Sequence, residues 1–259
     1  MSTRALSFGS TAEAYERFRP GYPQRLVDVI RAYAAHPIRS ALEIGAGTGK
    51  ATRLLVANGV AVTATDPDPA MLAELRTQVP AAEIIQAAFE DIAISRRYDL
   101  VLAAAALHWT QPDGRWDRVA AWVEPGGVFT NVGGPVRLAD PMLAARVQAA
   151  HSPYLETGEV PPPDGAAADS PMLWPGTEVA ACGLFEDVTQ LVIKRRIRLS
   201  RAGFVGYLGT VSAYLQLPEH TRRQALSAIA RVLPGEVKVC ADVIVHLGRR
   251  AGGDRTPRP

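Results

Sequence analysis

The chain has 259 residues, enough for one α/β domain with a cap or for two small domains, and its 47% hydrophobic and 21% charged content excludes a disordered chain. A net charge of +2 makes no electrostatic case for nucleic acid or a membrane surface as a partner. Residues 1–10 hold no signal-peptide-like core, no apolar run reaches membrane-spanning length, and Cys182 and Cys240 lack metal-ligand spacing, so the expectation is a cytoplasmic protein with reduced thiols and no metal.

In chain order, residues 10 to 35 read as one or two helices broken by Pro20-Gly21-Tyr22-Pro23, with capping-box spacing between Ser10 and Glu13. From residue 40 strands and helices alternate: strand 40–44, a helix to Asn58-Gly59, and strand 60–65 ending at Asp66. There follow a helix started by Asp68-Pro69, strands 83–87 and 98–103, a helix between Asp113 and Glu124, and strand 128–132 after Pro125-Gly126-Gly127. This order predicts an α/β fold with a Rossmann-like, doubly wound and mostly parallel sheet. Two long strand-like segments, 187–199 and 237–247, flank helical patterns at 201–208 and 218–232. They would complete a seven-stranded sheet with an antiparallel edge. The organisation expected is one domain over 1–259, with an N-terminal helical lid at 1–36 and a cap insertion at 134–186 between strands five and six. The cap contains the helix start Asp140-Pro141 and a loop with Pro161-Pro162-Pro163.

The densest signal is the run Ala41-Leu42-Glu43-Ile44-Gly45-Ala46-Gly47-Thr48-Gly49. Glycine at alternate positions between a strand and a helix N-terminus makes a nucleotide-binding corner. The dinucleotide fingerprint fails because Lys50 stands where its third glycine belongs, and the P-loop pattern fails because Ile44 and Ala51 replace its first glycine and its hydroxyl. What remains is E-x-G-x-G-x-G.

That motif resembles motif I of the class I S-adenosylmethionine (SAM) methyltransferases. Over roughly residues 8 to 132 the chain is similar to their small-molecule type 11, or trans-aconitate-methyltransferase-like, branch. The resemblance rests also on Tyr15-Glu16-Arg17-Phe18-Arg19-Pro20-Gly21-Tyr22-Pro23, on Ala87-Ala88-Phe89-Glu90-Asp91, on the strand ending in Ala103-Ala104-Ala105-Ala106-Leu107-His108-Trp109, and on Pro125-Gly126-Gly127. It implies SAM as cofactor and a small-molecule acceptor. Gly45, Ala46 and Gly47 would lie against the cofactor, with Glu43 at the loop's base. Asp66 would accept from the ribose hydroxyls, with Pro67 and Met71 beside it. Phe89 and Glu90 would border the adenine, carbonyls of Ala103 and Ala104 would meet the ammonium, and Tyr15 or Arg19 would reach the carboxylate.

His108 sits just past strand four with a pKa suited to proton transfer, and it either acts as a base or shapes the pocket. Trp109, His151, Tyr154 and Trp174 either line an acceptor pocket or fill the cap's core. In Lys194-Arg195-Arg196-x-Arg198, Lys194, Arg196 and Arg198 share one strand face. A solvated face is the ordinary reading and an anionic-substrate or RNA role the alternative. The same residues would serve a SAM-binding protein that catalyses a cyclisation or rearrangement, or a non-catalytic SAM-fold partner. The acceptor and the choice between monomer and homodimer stay open at this level.

Overall fold

The structure is a computed structural model and describes residues 11–155 and 170–252. Helices α1 (Ala12–Phe18) and α2 (Arg25–Tyr33) come first. Helix α2 buries Leu26, Val27 and Ile30. Ser10 of the expected capping box lies outside the described residues, and Thr11 begins α1 without a side-chain cap bond.

Strands and helices then alternate as β1 (Ser40–Ile44), α3 (Lys50–Ala57), β2 (Ala61–Asp66), α4 (Pro69–Gln78), β3 (Glu83–Gln86), β4 (Tyr98–Ala104), α5 (Arg115–Trp122) and β5 (Val123–Gly133). Local chemistry sets these boundaries. Asp68 accepts from the N–H groups of Ala70 at 2.9 Å and Met71 at 3.3 Å, with Pro69 in the first turn of α4. Helix α5 is capped by Gly114 in a left-handed conformation, not by Asp113. The chain continues through β6 (Arg137–Leu138), α6 (Pro141–His151), α7 (Gly176–Ala181), β7 (Phe185–Ile193), β8 (Arg196–Ser200), α8 (Arg201–Gly209), α9 (Ser212–Leu215), α10 (Glu219–Val232), β9 (Glu236–Cys240) and β10 (Val243–Arg250).

The main sheet has seven strands in the order β3-β2-β1-β4-β5-β10-β7. Strands β1 to β5 are parallel, and β10 runs against both β5 and β7, so the antiparallel pairings close one edge. Parallel strands are covered on both faces. Ala41 of β1 faces a cluster with Leu26 and Ile30 of α2 and Leu72 and Leu75 of α4, while Leu42 and Ile44 face one with Val119 and Trp122 of α5. Because β1 lies between β2 and β4, the connections leaving β1 and β4 part in opposite directions. They open a crevice at the strands' carboxyl ends, where ligands bind in such sheets.

The two long strand-like segments of the sequence each divide in two. Strands β7 and β10 stay in the main sheet, whereas β8 and β9 cross into a three-stranded sheet of order β6-β9-β8. The breaks face each other at Lys194-Arg195 and Ala241-Asp242. Asp242 pins this corner: its Oδ1 accepts from Arg195 N at 2.8 Å, and it ion-pairs with Lys194 at 3.1 Å and Arg196 at 3.2 Å. The small sheet packs with α6, α8, α9 and α10 around Val147, Phe204, Tyr207, Tyr214, Ile229 and Val239. This third core is drawn from residues on both sides of β7, while α7, inside the expected 134–186 insertion, packs on β7 and β10. The triple-proline loop at 161–163 lies outside the described residues. Among the described residues no helix is long and apolar enough to cross a membrane.

Candidate active site

The crevice is a cavity of about 390 Å³ between the carboxyl ends of β1, β2 and β4, the N-terminal segment and the small-sheet corner. Its floor is the glycine loop. Gly45 has φ +64, and a Cβ there would overlap the Cβ of Ala106, so the loop after β1 and the turn after β4 touch only because position 45 lacks a side chain. Gly47 has φ +56, and a Cβ on it would meet nothing within 4 Å, so its backbone faces open cavity. Opposite, Ala105 holds φ +55, unusual for a residue with a Cβ, and donates its N–H to Val132 O at 2.7 Å.

Two buried acids support this floor. Asp66 accepts from Gly47 N through Oδ2 and from Asp68 N through Oδ1, each at 2.9 Å, which fixes its carboxylate at the tip of β2. Burial raises its pKa, against the lowering effect of those two N–H groups. Glu43 is wholly buried, accepts from the Thr52 hydroxyl at 2.6 Å, and is pushed up to about 8 by burial, with the nearby Asp66 charge adding to the rise. A carboxyl so placed is largely neutral at pH 7.

The walls gather most of the residues singled out by sequence. Tyr15, Arg19, Ala46, Pro67, Met71, Phe89, Glu90, Ala104, His108 and Trp109 all line the cavity with Glu43, Gly45, Gly47 and Asp66. Phe89 also packs edge-on against Trp122, with ring centroids 5.6 Å apart, so it is core and wall together. Glu90 accepts from Gln111 N at 2.8 Å. His108 stands on a short turn, Leu107–Trp109, with its ring 4.6 Å from that of Trp109. His108 is exposed to cavity solvent, and desolvation by the neighbouring protein lowers its pKa below 6.5.

Four residues fall elsewhere. Ala103 is completely buried in the β4 ladder, one residue short of the cavity. His151 lies inside the cap, its Nδ1 2.6 Å from Tyr214 Oη and its Nε2 3.0 Å from Gln148 Oε1. Tyr154 packs in that same cap cluster. Trp174 packs against the α5 face of the sheet, with Arg115 over its ring at 5.5 Å. Tyr154 and Trp174 thus bury aromatic surface in core packing, and His151 is held by its polar partners.

The structure also supplies a lid fastening that motif reading missed. Glu16 on α1 accepts from the Thr48 hydroxyl at 2.7 Å and from Arg53 at 2.6 Å, and it pairs with Lys50 at 3.2 Å, while Lys50 Nζ donates to Glu16 O at 2.7 Å. Arg19 donates to Thr210 Oγ1 and Thr210 O, both at 2.8 Å, and lies over the rings of Tyr15 and Tyr207. The N-terminal segment is thereby tied to the glycine loop on one side and to α8 on the other. Only a spatial neighbour shows what Glu16 does; its sequence context is an ordinary helical charge.

Residues 42–129, the β1-to-β5 core with every turn of this floor, match the sequence model of a methyltransferase-domain family. This segment is similar to methyltransferase domains. The chain is 43% identical over 124 residues to an uncharacterized methyltransferase of Mycobacterium tuberculosis, covering 48% of this chain and 50% of that protein. It is 31% identical over 119 residues to a trans-aconitate 2-methyltransferase of an Acidovorax species, covering 44% and 46%. The chain thus spans about half the length of the curated relatives it matches. The solved structure of a proposed type II methyltransferase from Anaeromyxobacter dehalogenans superposes with a TM-score of 0.66 at 27% identity, over 91% of this chain and all of that one.

Proposed function

We propose that the protein transfers a methyl group from SAM to a small-molecule acceptor. The observation that carries this reading is the Asp66–Gly47 bond across the cavity floor. It sets a carboxylate and an open glycine backbone side by side, where a nucleoside's ribose and its chain need an acceptor and room. Each Asp66 oxygen accepts one N–H and keeps further acceptor capacity for a vicinal diol. Glu90 and the Phe89 edge suit an adenine amine and ring, and Arg19 suits a carboxylate. When bound, SAM brings an electrophilic methyl on a sulfonium, open to in-line attack by an acceptor atom. The chain's own share is alignment and water exclusion by the clasped N-terminal segment. A proton on the acceptor would pass to His108 Nδ1 or Nε2, and the lowered pKa keeps that ring neutral and receptive at pH 7. The cavity's size agrees with a small-molecule acceptor.

Calorimetry with S-adenosylhomocysteine, then incubation with methyl-labelled SAM and candidate acceptors, tests the reading. We expect tight binding, loss of at least about 100-fold in Asp66→Ala from two hydrogen bonds to a charged group, and label in the acceptor. Binding without label transfer would favour a rearrangement catalyst, and no binding would leave a partner protein.

A further inference from the structure

We propose that Arg195 is the anion-binding residue of the acceptor subsite, and that the acceptor carries a carboxylate. This rests on the methyl-transfer reading above. The basic run Lys194 to Arg198 alternates in exposure across the break between β7 and β8. Lys194 and Arg196 are 77% and 63% exposed and share Asp242, and Arg198 is 67% exposed and pairs with Glu236. Arg195 points the other way, into the cavity that holds Gly47, Asp66 and His108. Among the described residues no carboxylate lies within ion-pair distance of its guanidinium, whose side-chain hydrogen bond goes to the neutral carbonyl of Gly21 at 2.5 Å. A guanidinium has five N–H donors, so most of the fork is available.

Asp242 also borders the cavity, but its oxygens are engaged by Lys194, Arg196 and the Arg195 backbone N–H. The position is rigid on both sides, because Arg195 O in turn accepts from Ala241 N at 2.9 Å. The cavity therefore holds two arginines without carboxylate partners among the described residues, Arg19 and Arg195, on either side of Pro20-Gly21. SAM has a single carboxylate, which Arg19 suits. A second fork then fits an acid on the acceptor, which it would bind bidentately and hold in register with the transferred methyl.

The test measures S-adenosylhomocysteine affinity, and then, on the loaded protein, binding and methylation of small mono-, di- and tricarboxylic acids beside their neutral esters. Wild type should prefer acids to esters. Arg195→Gln should leave S-adenosylhomocysteine affinity within about twofold and weaken acid binding about 10- to 100-fold, the effect of losing a charged hydrogen-bonding partner. Arg195→Lys, which keeps the charge and loses the fork, should fall between, and it serves alone if the glutamine variant does not fold. The proposal is overturned if the loaded wild type shows no preference for acids, if either variant binds acids as wild type does, or if the loss falls on the homocysteine ligand, which would give Arg195 to the cofactor's carboxylate. Failure of wild type to bind S-adenosylhomocysteine at all would instead remove the methyl-transfer reading.

Discussion

Glu16 and Thr48 meet at 2.7 Å, joining the first helix to the glycine loop it covers, and Glu16 is only 14% exposed there. Breaking this clasp should loosen the lid before anything else. Glu16→Ala is expected to weaken S-adenosylhomocysteine binding about 5- to 10-fold and to speed amide exchange across residues 12–18, with the melting temperature of the sheet little changed. Exchange as slow as in wild type would mean that α1 is held by its contacts with α8 instead.

Glu43 makes stability depend on pH in a defined direction. In the folded chain it titrates at about 8, against 4.5 when unfolded. Below pH 4.5 both states are neutral; between 4.5 and 8 the unfolded state ionises and the folded state resists. Stability from this group therefore falls as pH rises through that window, by up to about 5 kcal/mol. His246 acts oppositely. Its pKa is lowered from 6.5 to about 4, so it removes stability as pH falls through that range. Urea titrations of Glu43→Gln from pH 5 to 8 should lose the downward slope at the alkaline end. A variant with the wild-type slope would show that Glu43 is ionised in the fold.

His108→Asn should separate chemistry from binding. If the ring takes a proton, turnover drops about 100-fold while S-adenosylhomocysteine affinity stays, and the acid limb of the wild-type rate profile, set below pH 6.5, disappears. An acceptor attacking through an already ionised carboxylate has no proton to give, and the variant would then keep both its rate and its limb.

Gly45→Ala should destabilise the protein by about 2–4 kcal/mol, through strain at φ +64 together with overlap on Ala106. Adding Ala106→Gly removes the overlap and leaves the backbone strain, so the double variant should recover part of the loss in chemical denaturation. No recovery would show that the strained dihedral is the whole effect.

The central fold was legible because local signals and global topology agree at the same residues. Asp68-Pro69, Asp140-Pro141 and Asn58-Gly59 each end or begin a helix where their chemistry demands. The cavity floor was legible for the same reason, since glycine spacing and the acid ending β2 are written within a few residues. What stayed hidden depends on distant partners. Periodicity reads 187–199 as one strand, and only Asp242 across the ribbon shows why it bends at Lys194-Arg195. His151 and Trp174 carry the residue types of a substrate pocket, and nothing local distinguishes that from the cores they fill. Arg195 was half legible: alternation sets it apart from Lys194 and Arg196, but not toward which neighbour.

The corner at Arg195 and Asp242 makes the cap inseparable from the main sheet, because one two-stranded ribbon serves both. Side chains alternate along it, so inserting a single residue ahead of Arg195 would turn that guanidinium outward, with the main sheet left whole. Acceptor preference in such a scaffold can shift by a slip of register, without any change of side-chain chemistry, and a cap graft between relatives would have to carry both strands, 185–200 and 236–250, in matched phase.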